Sequence, residues 1–584
     1  MKIKHFFGLA VIAAMTASCS SNEDLGTAGP GTGTNETGVG YATFTINLPS
    51  VSGTRADAGG AEMNEGTKEE YAVKSATALI FQKYGADEGS NKFVESVTLP
   101  IDGWTDDPED GITTTSKKLV AKLTNVDTKN DYSVLILLNN TKVALPTVGQ
   151  SYNDWNSKNI LTPLVTDWTG SDGFYMANAP LKGSGASPAI LVPINKDKIY
   201  ASEAIAKEDA SECAATVFVE RGVAKMSVAD PTPTDPIKVK DKATKAETES
   251  TVKFNNWALD ITNKKTYAVH NIDGLESDFG DIWKTDPSNR FIGTNNRVYW
   301  GKDPNYDNKD LKLTDKDAER TAEFNFITAT SQIDKDFANT TNTNPVYCLE
   351  NTFNLTNMYQ GQTTRVIFKA KYAPKDDAGN SLADDDETFY TIGNMTTILN
   401  TDKLKAAVNA VANPVLPTGY TIDYTNFMTK EGSHVITLAD IKDADGKPLV
   451  AGTDYSGKTG TGIVDEINTK LGLTDGGGRA EAKVGINTYL QGVTYYIARV
   501  KHFGDALTKW NSGESYSDNN KQYLGRYGML RNNWYELTVG NVYGPGYPGV
   551  PPVDPTLPDD ENEKYLSVSV KILSWAKRSQ SVDL

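Results

Sequence analysis

The last twenty residues of the chain, Tyr565 to Leu584, read YLSVSVKILSWAKRSQSVDL. Apolar residues occupy every second position of their first half, which is the period of a β-strand with one buried face; they are Leu566, Val568, Val570 and Ile572. The preceding segment, Tyr543 to Asp560, is rich in proline and glycine. Prolines cannot donate to a strand ladder, so this segment predicts a semi-rigid spacer that holds the strand away from the body. Such a strand is placed to complete the sheet of another molecule.

A second alternating stretch, YATFTINL, runs from Tyr41 to Leu48 near the other end of the chain. The residues of its apolar face are Ala42, Phe44, Ile46 and Leu48. Arg55, followed by Ala56, is the only Lys or Arg between Lys4 and Lys68, so a trypsin-like protease has one place to cut in this Gly-rich region. A cut there would detach the first strand. The sheet would then contain a groove that a strand from another chain can fill.

Both terminal strands also have a simpler interpretation. Tyr565 to Leu584 can close the sheet of its own domain, and Tyr41 to Leu48 can be a permanent first strand. Leu573 and Trp575 depart from the alternation after Ile572, which predicts a bulge or a second short strand segment there. The sequence leaves these alternatives open.

The first nineteen residues form a targeting segment. Lys2 and Lys4 precede a short apolar run from Phe6 to Met15, a pattern typical of a secretory signal peptide. Thr16 to Cys19 resembles a bacterial lipobox, in which Cys19 would be the lipidated residue, and Ser20 to Asp24 resembles the export signal of Bacteroidetes surface lipoproteins. Lipid chains would hold the precursor on a membrane. The alternative is an ordinary signal peptide that is cut near Ala17.

The charge balance argues against nucleic acid as a partner. The 584 residues carry a formal net charge of −17. The charged residues up to Arg55 cancel, so a protein cut at Arg55 keeps all of this negative charge. An acidic chain of this kind repels polyanions and stays soluble outside the cell.

The body of the chain predicts an all-β fold in two large domains. Short apolar or alternating runs are separated by Gly, Asp, Asn and Pro clusters. In the first half these runs are Val73–Tyr84, Phe93–Leu99, Leu119–Leu123, Tyr132–Leu138 and Thr216–Val228. In the second half they are Asn256–Ile261, Val346–Glu350, Thr364–Tyr372, Tyr495–Lys501 and Trp534–Val539. Short helices are predicted at Asn153–Leu161, Ala201–Ala210 and Leu404–Val411.

Five blocks of sequence together carry a family resemblance. They are VERGVAKMSV (219–228), NPVYCLENTF (344–353), TRVIFKAKY (364–372), YGMLRNNWYELTV (527–539) and the terminal SVSVKILSWAKRSQSVDL. In this order, with the lipobox-like segment in front and Arg55-Ala56 after the first strand, they resemble the major fimbrillins, or type V pilins, of Bacteroidales. The likeness is greatest to the shaft subunits of the minor, short fimbriae of Porphyromonas.

The resemblance implies an architecture and a maturation pathway. It implies two transthyretin-like Greek-key β-sandwich domains with a C-terminal donor strand. It also implies lipidation at Cys19 and export to the outer membrane, then cleavage between Arg55 and Ala56 by an arginine-specific protease. The implied divisions are a signal peptide at 1–19, a propeptide at 20–55, sandwiches at 56–229 and 230–541, and a Pro-rich hinge with the donor strand at 542–584. The displaced strand would present Ala42, Phe44, Ile46 and Leu48, and the donor Leu566, Val568, Val570 and Ile572.

Motifs for catalysis, metals or cofactors are absent from the sequence. The four histidines are scattered, and no nucleophile elbow, phosphate loop or dinucleotide fingerprint occurs. Asp443 to Gly446 matches only part of a calcium loop and predicts a hairpin turn instead. Cys213 and Cys348 fall in different predicted domains, which favours two buried thiols over a disulfide. We therefore expect a protein that is not an enzyme and that needs no metal or cofactor.

Two classes of function remain open. The first is a structural shaft subunit that polymerises with itself, joins tip and anchor subunits, and supports adhesion to host or bacterial surfaces, a role in virulence. The second is a binding lipoprotein anchored in the outer membrane, either a fimbrial tip or anchor subunit or a glycan-binding module. A shaft subunit needs both a removable first strand and a donor tail, whereas a tip subunit should lack the free tail and an anchor subunit should lack the cut.

Overall fold

We describe the fold from a computed structural model of the chain. The structure describes residues 33–35, 37–49, 63–64, 67–102, 104, 116–182, 188–208, 213–229, 235–275, 297–336, 345–503, 508, 510–511, 514, 516–517, 520–558 and 566–575. Within these ranges, no helix has both the length and the apolar composition needed to cross a bilayer.

Strands are the dominant element of the described residues, which confirms the predicted all-β class. They are β1 (Gly40–Asn47), β2 (Met63–Asn64), β3 (Ala76–Gln82), β4 (Lys92–Thr98), β5 (Ser116–Leu123), β6 (Tyr132–Leu138), β7 (Met176–Asn178), β8 (Leu181–Lys182), β9 (Pro188–Ala189), β10 (Val192–Pro193), β11 (Ile199–Tyr200), β12 (Ala215–Arg221), β13 (Val223–Ala229), β14 (Ile237–Lys240), β15 (Glu247–Asp260), β16 (Thr262–Asn263), β17 (Phe324–Asn325), β18 (Lys335–Asp336), β19 (Val346–Leu349), β20 (Arg365–Ala373), β21 (Phe389–Ile392), β22 (Thr421–Ile422), β23 (Gly432–His434), β24 (Ile441–Lys442), β25 (Ile486–Tyr489), β26 (Val493–Arg499), β27 (Asn533–Val542) and β28 (Leu566–Trp575).

The helices of the described residues are few and short. They are α1 (Lys68–Tyr71), α2 (Tyr152–Trp155), α3 (Glu203–Glu208), α4 (Asp317–Glu323), α5 (Thr401–Ala412), α6 (Thr425–Thr429) and α7 (Gly460–Leu471). Three of them, α2, α3 and α5, occur where the sequence predicts helices. Helix α2 has only its first turn, because a Ser151 cap starts it and the chain leaves the helix at Asn156.

The first sheet has nine strands and contains β1. Its main path runs β11-β1-β12-β7-β6-β3-β4, while β5 pairs with β1 and β10 pairs with β6. Strand β6 is buried along its whole length, as the apolar run YSVLILL predicts. The sheet packs around a core to which aromatic residues of the second half of the chain, such as Trp300 and Phe503, also contribute.

Two further sheets, built mostly from residues after Gly222, face each other. One, which we call the second sheet, has the order β19-β13-β27-β28-β2. The other has the order β14-β15-β20-β26, with β18 beside β15. Side chains of β13 and β27 share one core with side chains of β15, β20 and β26. The inward residues include Met226, Leu537, Phe254, Phe368 and Tyr496.

A third layer, which the sequence analysis did not anticipate as a unit, is inserted between β20 and β26. Strands β21, β25 and β23 form a small sheet, and helices α5 and α7 pack on it around a core of their own. Leu404 and Val408 of α5 and Ile463 and Ile467 of α7 are buried there. The Asp443–Gly446 segment is a hairpin turn, in which the Asp443 amide donates to the Lys447 carbonyl at 3.0 Å.

The chain passes from the first sheet to the second at Gly222. A side chain here would meet the rings of Trp168 at 2.7 Å and Tyr175 at 2.9 Å, so only glycine fits. The predicted run Thr216–Val228 is therefore two strands, β12 in the first sheet and β13 in the second. Residues 223–229 thus pair with the second half of the chain, although the predicted domain boundary lies after residue 229.

Candidate assembly site

Strand β1 is an interior strand of the first sheet. Along one edge it pairs antiparallel with β5 over all eight of its residues. Its other edge pairs parallel with β12 over its C-terminal half and antiparallel with β11 at Tyr41 and Ala42. If β1 were removed, a slot one strand wide would separate β5 from β12.

The inner face of β1 is fully buried. Ala42, Phe44 and Ile46 have no exposed surface, and Leu48 is 2 % exposed. All four belong to the core of the first sheet. Burial of a large apolar side chain contributes about 1.5–3 kcal/mol, so Phe44, Ile46 and Leu48 together hold β1 with about 5–9 kcal/mol before conformational entropy is subtracted. The face predicted from alternation is therefore the buried one.

The outer face of β1 is covered by helix α3. Tyr41, Tyr200 and Ala206 form a small buried cluster. The Thr43 hydroxyl donates to the Ala206 carbonyl at 2.8 Å. Strand β1 therefore packs between the core and α3 along Tyr41 to Thr43, while Thr45 and Asn47 of the outer face are only partly buried.

The C-terminal strand β28 lies beside β27 of its own chain. The pairing is antiparallel, and Ser574 and Trp575 also pair in parallel with β2. Four core residues of β27 are the register partners of the predicted donor residues: Val542 of Leu566, Val539 of Val568, Leu537 of Val570 and Tyr535 of Ile572. In the single chain, β28 thus completes the second sheet, as one interpretation of the sequence holds.

The irregularity in this ladder is not where the sequence places it. The register shifts between Val539 and Asn541 of β27, whereas the ladder continues unbroken from Ile572 through Ser574. The expected bulge after Ile572 is therefore wrong. Gly540 lies at this register shift. Because it has no side chain, it can be accommodated as the extra residue of β27.

The Pro-rich segment ahead of β28 is docked on the sheet that contains β15, β20 and β26. We call residues Tyr543 to Pro558 the strap. Tyr547 exchanges two backbone hydrogen bonds with Tyr495 of β26, at 2.8 and 2.9 Å. The buried Arg365 guanidinium donates to the carbonyls of Pro551 at 2.7 Å and Pro552 at 3.4 Å, while its Nε donates to Asp260 at 2.7 Å.

The strap differs from the spacer that the sequence predicts. Proline cannot donate a backbone hydrogen bond, but its carbonyl still accepts one, and Arg365 supplies the donors. The strap also runs along β26, the last strand of its sheet, and so covers an edge. The expectation that this segment holds the strand away from the body is wrong for residues up to Pro558.

Buried charges lie where the chain crosses between the two large sheets. The Glu70 carboxylate of α1 is 2.7 Å from Lys225 Nζ and accepts a hydrogen bond from the Tyr347 hydroxyl at 2.6 Å. Lys225 also lies 3.7 Å from the centre of the Trp534 ring. The Arg221 Nε donates to the Glu70 carbonyl at 2.6 Å.

A second set of buried charges is next to the first. Glu220 pairs with Arg297 and lies 2.8 Å from His270 Nδ1, and Glu350 lies 3.1 Å from Arg531 Nε. The sequence pattern predicts neither set, because polar residues that alternate in a strand usually face solvent. Here the charged side chains are buried instead, and they pair with one another.

The environment of Glu70 favours its charged form. Burial by itself would raise the pKa of the Glu70 carboxyl, but Lys225 and Arg221 outweigh burial and hold the pKa below its ordinary value. Burial, followed by the nearby Glu70 carboxylate, raises the pKa of Tyr347, so its hydroxyl stays a donor. Helix α1 is therefore tied to β13 and β19 by a charged anchor that follows the predicted cleavage site in the chain.

Several predicted site residues lie outside the described residues. Cys19, Arg55 and Ala56 are among them. Cys213 and Cys348 are both free thiols, the first half-buried and the second buried in the core that β13 and β27 share with β15, β20 and β26. Among the described residues, no three His, Cys, Asp or Glu side chains form a metal-binding group.

The C-terminal part of the chain matches a known family. Residues 487–581 match the family model described as major fimbrial subunit protein type IV, fimbrillin, C-terminal. The matched part begins within β25 and contains β26, β27, the strap and β28. No curated protein matches the chain.

A solved structure is similar to the chain as a whole. It is a crystal structure of a Parabacteroides distasonis protein proposed to act in cell adhesion. The identity is 10 %, the TM-score is 0.37, and the match covers 92 % of this chain and 99 % of that one. At this identity and TM-score the likeness carries no further argument.

Proposed function

We propose that this protein is the repeating shaft subunit of a cell-surface fimbria and that it polymerises by strand exchange. Cleavage after Arg55 detaches β1, and the C-terminal strand of another copy fills the slot between β5 and β12. The observation that carries the proposal is that β1 is an interior strand with a fully buried inner face, on a segment with a single basic residue behind it. The fimbrillin match over residues 487–581 supports the same function.

The rest of the pathway follows from the resemblance. The precursor is lipidated at Cys19 and held at the outer membrane, and an arginine-specific protease cuts between Arg55 and Ala56. The donor presents Leu566, Val568, Val570 and Ile572 to the vacated core, in place of Ala42, Phe44, Ile46 and Leu48. Tip and anchor subunits complete the fimbria, which supports adhesion. Both large domains are transthyretin-like Greek-key sandwiches, and the chain resembles the shaft subunits of the minor fimbriae of Porphyromonas.

Before cleavage, the two terminal strands are satisfied within one molecule. Strand β1 fills the first sheet and β28 pairs with β27, so neither the slot nor a free donor is offered. Premature assembly is prevented in this way. Assembly then exchanges the ladders of β1 in the slot and of β28 on β27 for the ladder of the donor in the slot, and the net driving force is the difference in free energy between these two states.

The cleavage step is tested by substitution at Arg55. Arg55→Ala should leave a lipidated precursor that accumulates as monomer, seen by electron microscopy of cells and by the mass of the purified subunit. Arg55→Lys is the matched control, since it keeps the charge but removes the arginine that the proposed protease recognises. Both variants should fail to polymerise. Fibres of normal length whose subunits begin at Cys19 would contradict the proposal.

A second candidate function is a binding lipoprotein in the outer membrane that keeps β1 in place. The pairing of both terminal strands within a single chain favours it. Deletion of residues 565–584 distinguishes the two candidate functions. In both cases the monomer loses β28 from its second sheet and with it part of its stability. A shaft subunit without its donor should also fail to extend a fibre, whereas the fibres of cells that make a binding lipoprotein do not consist of it and should keep their length.

A further inference from the structure

Strand β5 depends on β1 for its place in the sheet. In the part of the chain that the structure describes, β5 has a ladder only with β1. Strand β4, which ends the main path of the sheet, lies near β5 without a ladder to it. When β1 leaves, β5 therefore keeps no ladder partner among the described strands, and its distance from β12 is no longer set by backbone hydrogen bonds.

One side chain bridges the gap between β4 and β5. Glu95 lies in the middle of β4 and is 8 % exposed. Its carboxylate accepts hydrogen bonds from the amides of Thr124 and Asn125, directly after β5, at 3.0 Å each. It also accepts from the Thr124 hydroxyl at 2.7 Å. Glu95 thus takes the role that a backbone ladder plays elsewhere in the sheet.

We propose that Glu95 is a positioning residue for assembly, which holds β5 in place after β1 has left so that the slot stays one strand wide for the donor of a second copy. This inference rests on the proposed strand exchange. Inward residues of β5 such as Leu119 and Ala121 keep it against the core, but apolar packing is not directional. Charge-assisted hydrogen bonds have defined lengths and directions, so they fix the lateral position.

The hydrogen bonds from Thr124 and Asn125 to Glu95, which we call the clamp, fix one end of the slot. Thr124 follows Leu123, the residue that pairs with Gly40 at the start of β1. The other end of β5, Ser116, pairs with Asn47, close to the side of β1 where the cleavage is proposed. The slot is therefore held open at the Gly40 end, and the donor enters a site whose width is set before it arrives.

The test measures capture of a donor by the full chain. A fluorescent synthetic peptide with the sequence of residues 565–584 is added to protein that has been cut at Arg55. Glu95→Ala should slow capture about tenfold, the effect of losing hydrogen bonds to one charged acceptor. Release of captured peptide should change less than twofold, because the donor then holds β5 itself. Uncut Glu95→Ala should melt within a few degrees of wild type, because β1 still holds β5.

Two further variants complete the experiment. Glu249→Ala, which truncates an exposed glutamate on β15, should capture at the wild-type rate. Thr124→Ala removes only the hydroxyl donor and should slow capture two- to fivefold. If Glu95→Ala does not fold, this variant tests the role of the Glu95 hydrogen bonds in its place. If wild type, Glu95→Ala and Thr124→Ala all capture the peptide at the same rate, the proposed role of Glu95 is wrong, while strand exchange itself is not affected. Failure of the cut wild type to capture any peptide would overturn strand exchange, and this inference with it.

Discussion

Phe44 has no exposed surface in the core of the first sheet, and under strand exchange it belongs to the precursor alone. Phe44→Ala should lower the free energy of unfolding of the uncut protein by about 3–5 kcal/mol, through lost burial and the cavity left behind. Mature fibres should be unchanged, because β1 is no longer present. Urea unfolding of the precursor and urea dissociation of isolated fibres measure the two effects.

Phe81 provides the matched control. It is equally buried, on β3, and packs on Phe93 with ring centres 5.6 Å apart. Because β3 stays in the mature protein, Phe81→Ala should weaken precursor and fibre alike. An equal weakening of fibres by Phe44→Ala would show that β1 remains in its sheet after assembly.

Glu70 gives the precursor a defined response to acid. Its folded pKa lies below the ordinary value of 4.5, so its contribution to stability is complete above that pH and is lost as the pH falls through the folded pKa. Glu70→Gln should lower the free energy of unfolding by about 3 kcal/mol at pH 7, since Lys225 is left buried without its anion. The difference from wild type should shrink below pH 4.5 in urea titrations across pH.

Tyr347→Phe is the control for this cluster. It removes one hydrogen bond to Glu70 but leaves the ion pair with Lys225 intact, so its cost should be about 1–2 kcal/mol at pH 7. A loss for Glu70→Gln that stayed the same from pH 7 to pH 3 would mean that Glu70 is not ionised in the folded protein.

At the scale of residues, sequence alternation predicts apolar faces well and polar ones poorly. The alternation in YATFTINL identifies Ala42, Phe44, Ile46 and Leu48 as a buried face, and all four are buried. The same period in VERGVAKMSV would send the polar side chains to solvent, yet Glu220, Arg221 and Lys225 are buried. Alternation describes a strand covered on one side, and here a second layer covers the other.

At the scale of elements, the strap is held by close backbone contacts. Gly546 has a φ of +70°, and a side chain there would meet the Tyr495 carbonyl at 2.5 Å. Gly546→Ala should therefore cost about 1–3 kcal/mol of local stability and lift the strap from β26. Hydrogen exchange of the Tyr547 amide, which donates to Tyr495, should become faster.

Gly549 is the matched control within the same strap. The nearest atom to an added side chain there is 3.5 Å away, an ordinary contact distance. Gly549→Ala should leave the exchange of the Tyr547 amide at the wild-type rate. If both variants exchange like wild type, the hydrogen bonds between Tyr547 and Tyr495 do not hold the strap.

Most elements are predictable from the sequence, and their partners are less so. The run YSVLILL is strand β6 without a change of boundary, and TRVIFKAKY is β20 within one residue at each end. The layer built on α5 and α7 was missed as a unit, because α7 begins with GTG and carries little helical signal. Docking of the strap depends on Arg365, which is distant in sequence, so composition alone could not place it.

At the scale of the whole molecule, charge is divided between body and tail. The chain has a net charge of −17, but residues 565–584 contain three cations, Lys571, Lys577 and Arg578, against Asp583 alone. The tail is therefore basic and the body is more acidic than the chain as a whole. Whole subunits repel one another, whereas an isolated tail is attracted to the body.

Salt should therefore act in opposite directions on two related reactions. Polymerisation of cut subunits, followed by light scattering, should become several-fold faster between about 10 and 150 mM salt, as the screening length falls from about 30 to 8 Å. Capture of the isolated 565–584 peptide should become slower over the same range. A matching acceleration of both would indicate that salt acts through apolar burial and not through charge.

Mechanical force applied to the proposed fibre would be transmitted to each subunit through the strap. The tension carried by a captured strand passes along Tyr543–Pro558, whose contacts are with β26 and with Arg365 at the start of β20. Arg365 transmits it to Asp260 on the neighbouring β15. The pull is thus spread across three adjoining strands, so a fimbria under shear would resist extension without unzipping its subunits from one end.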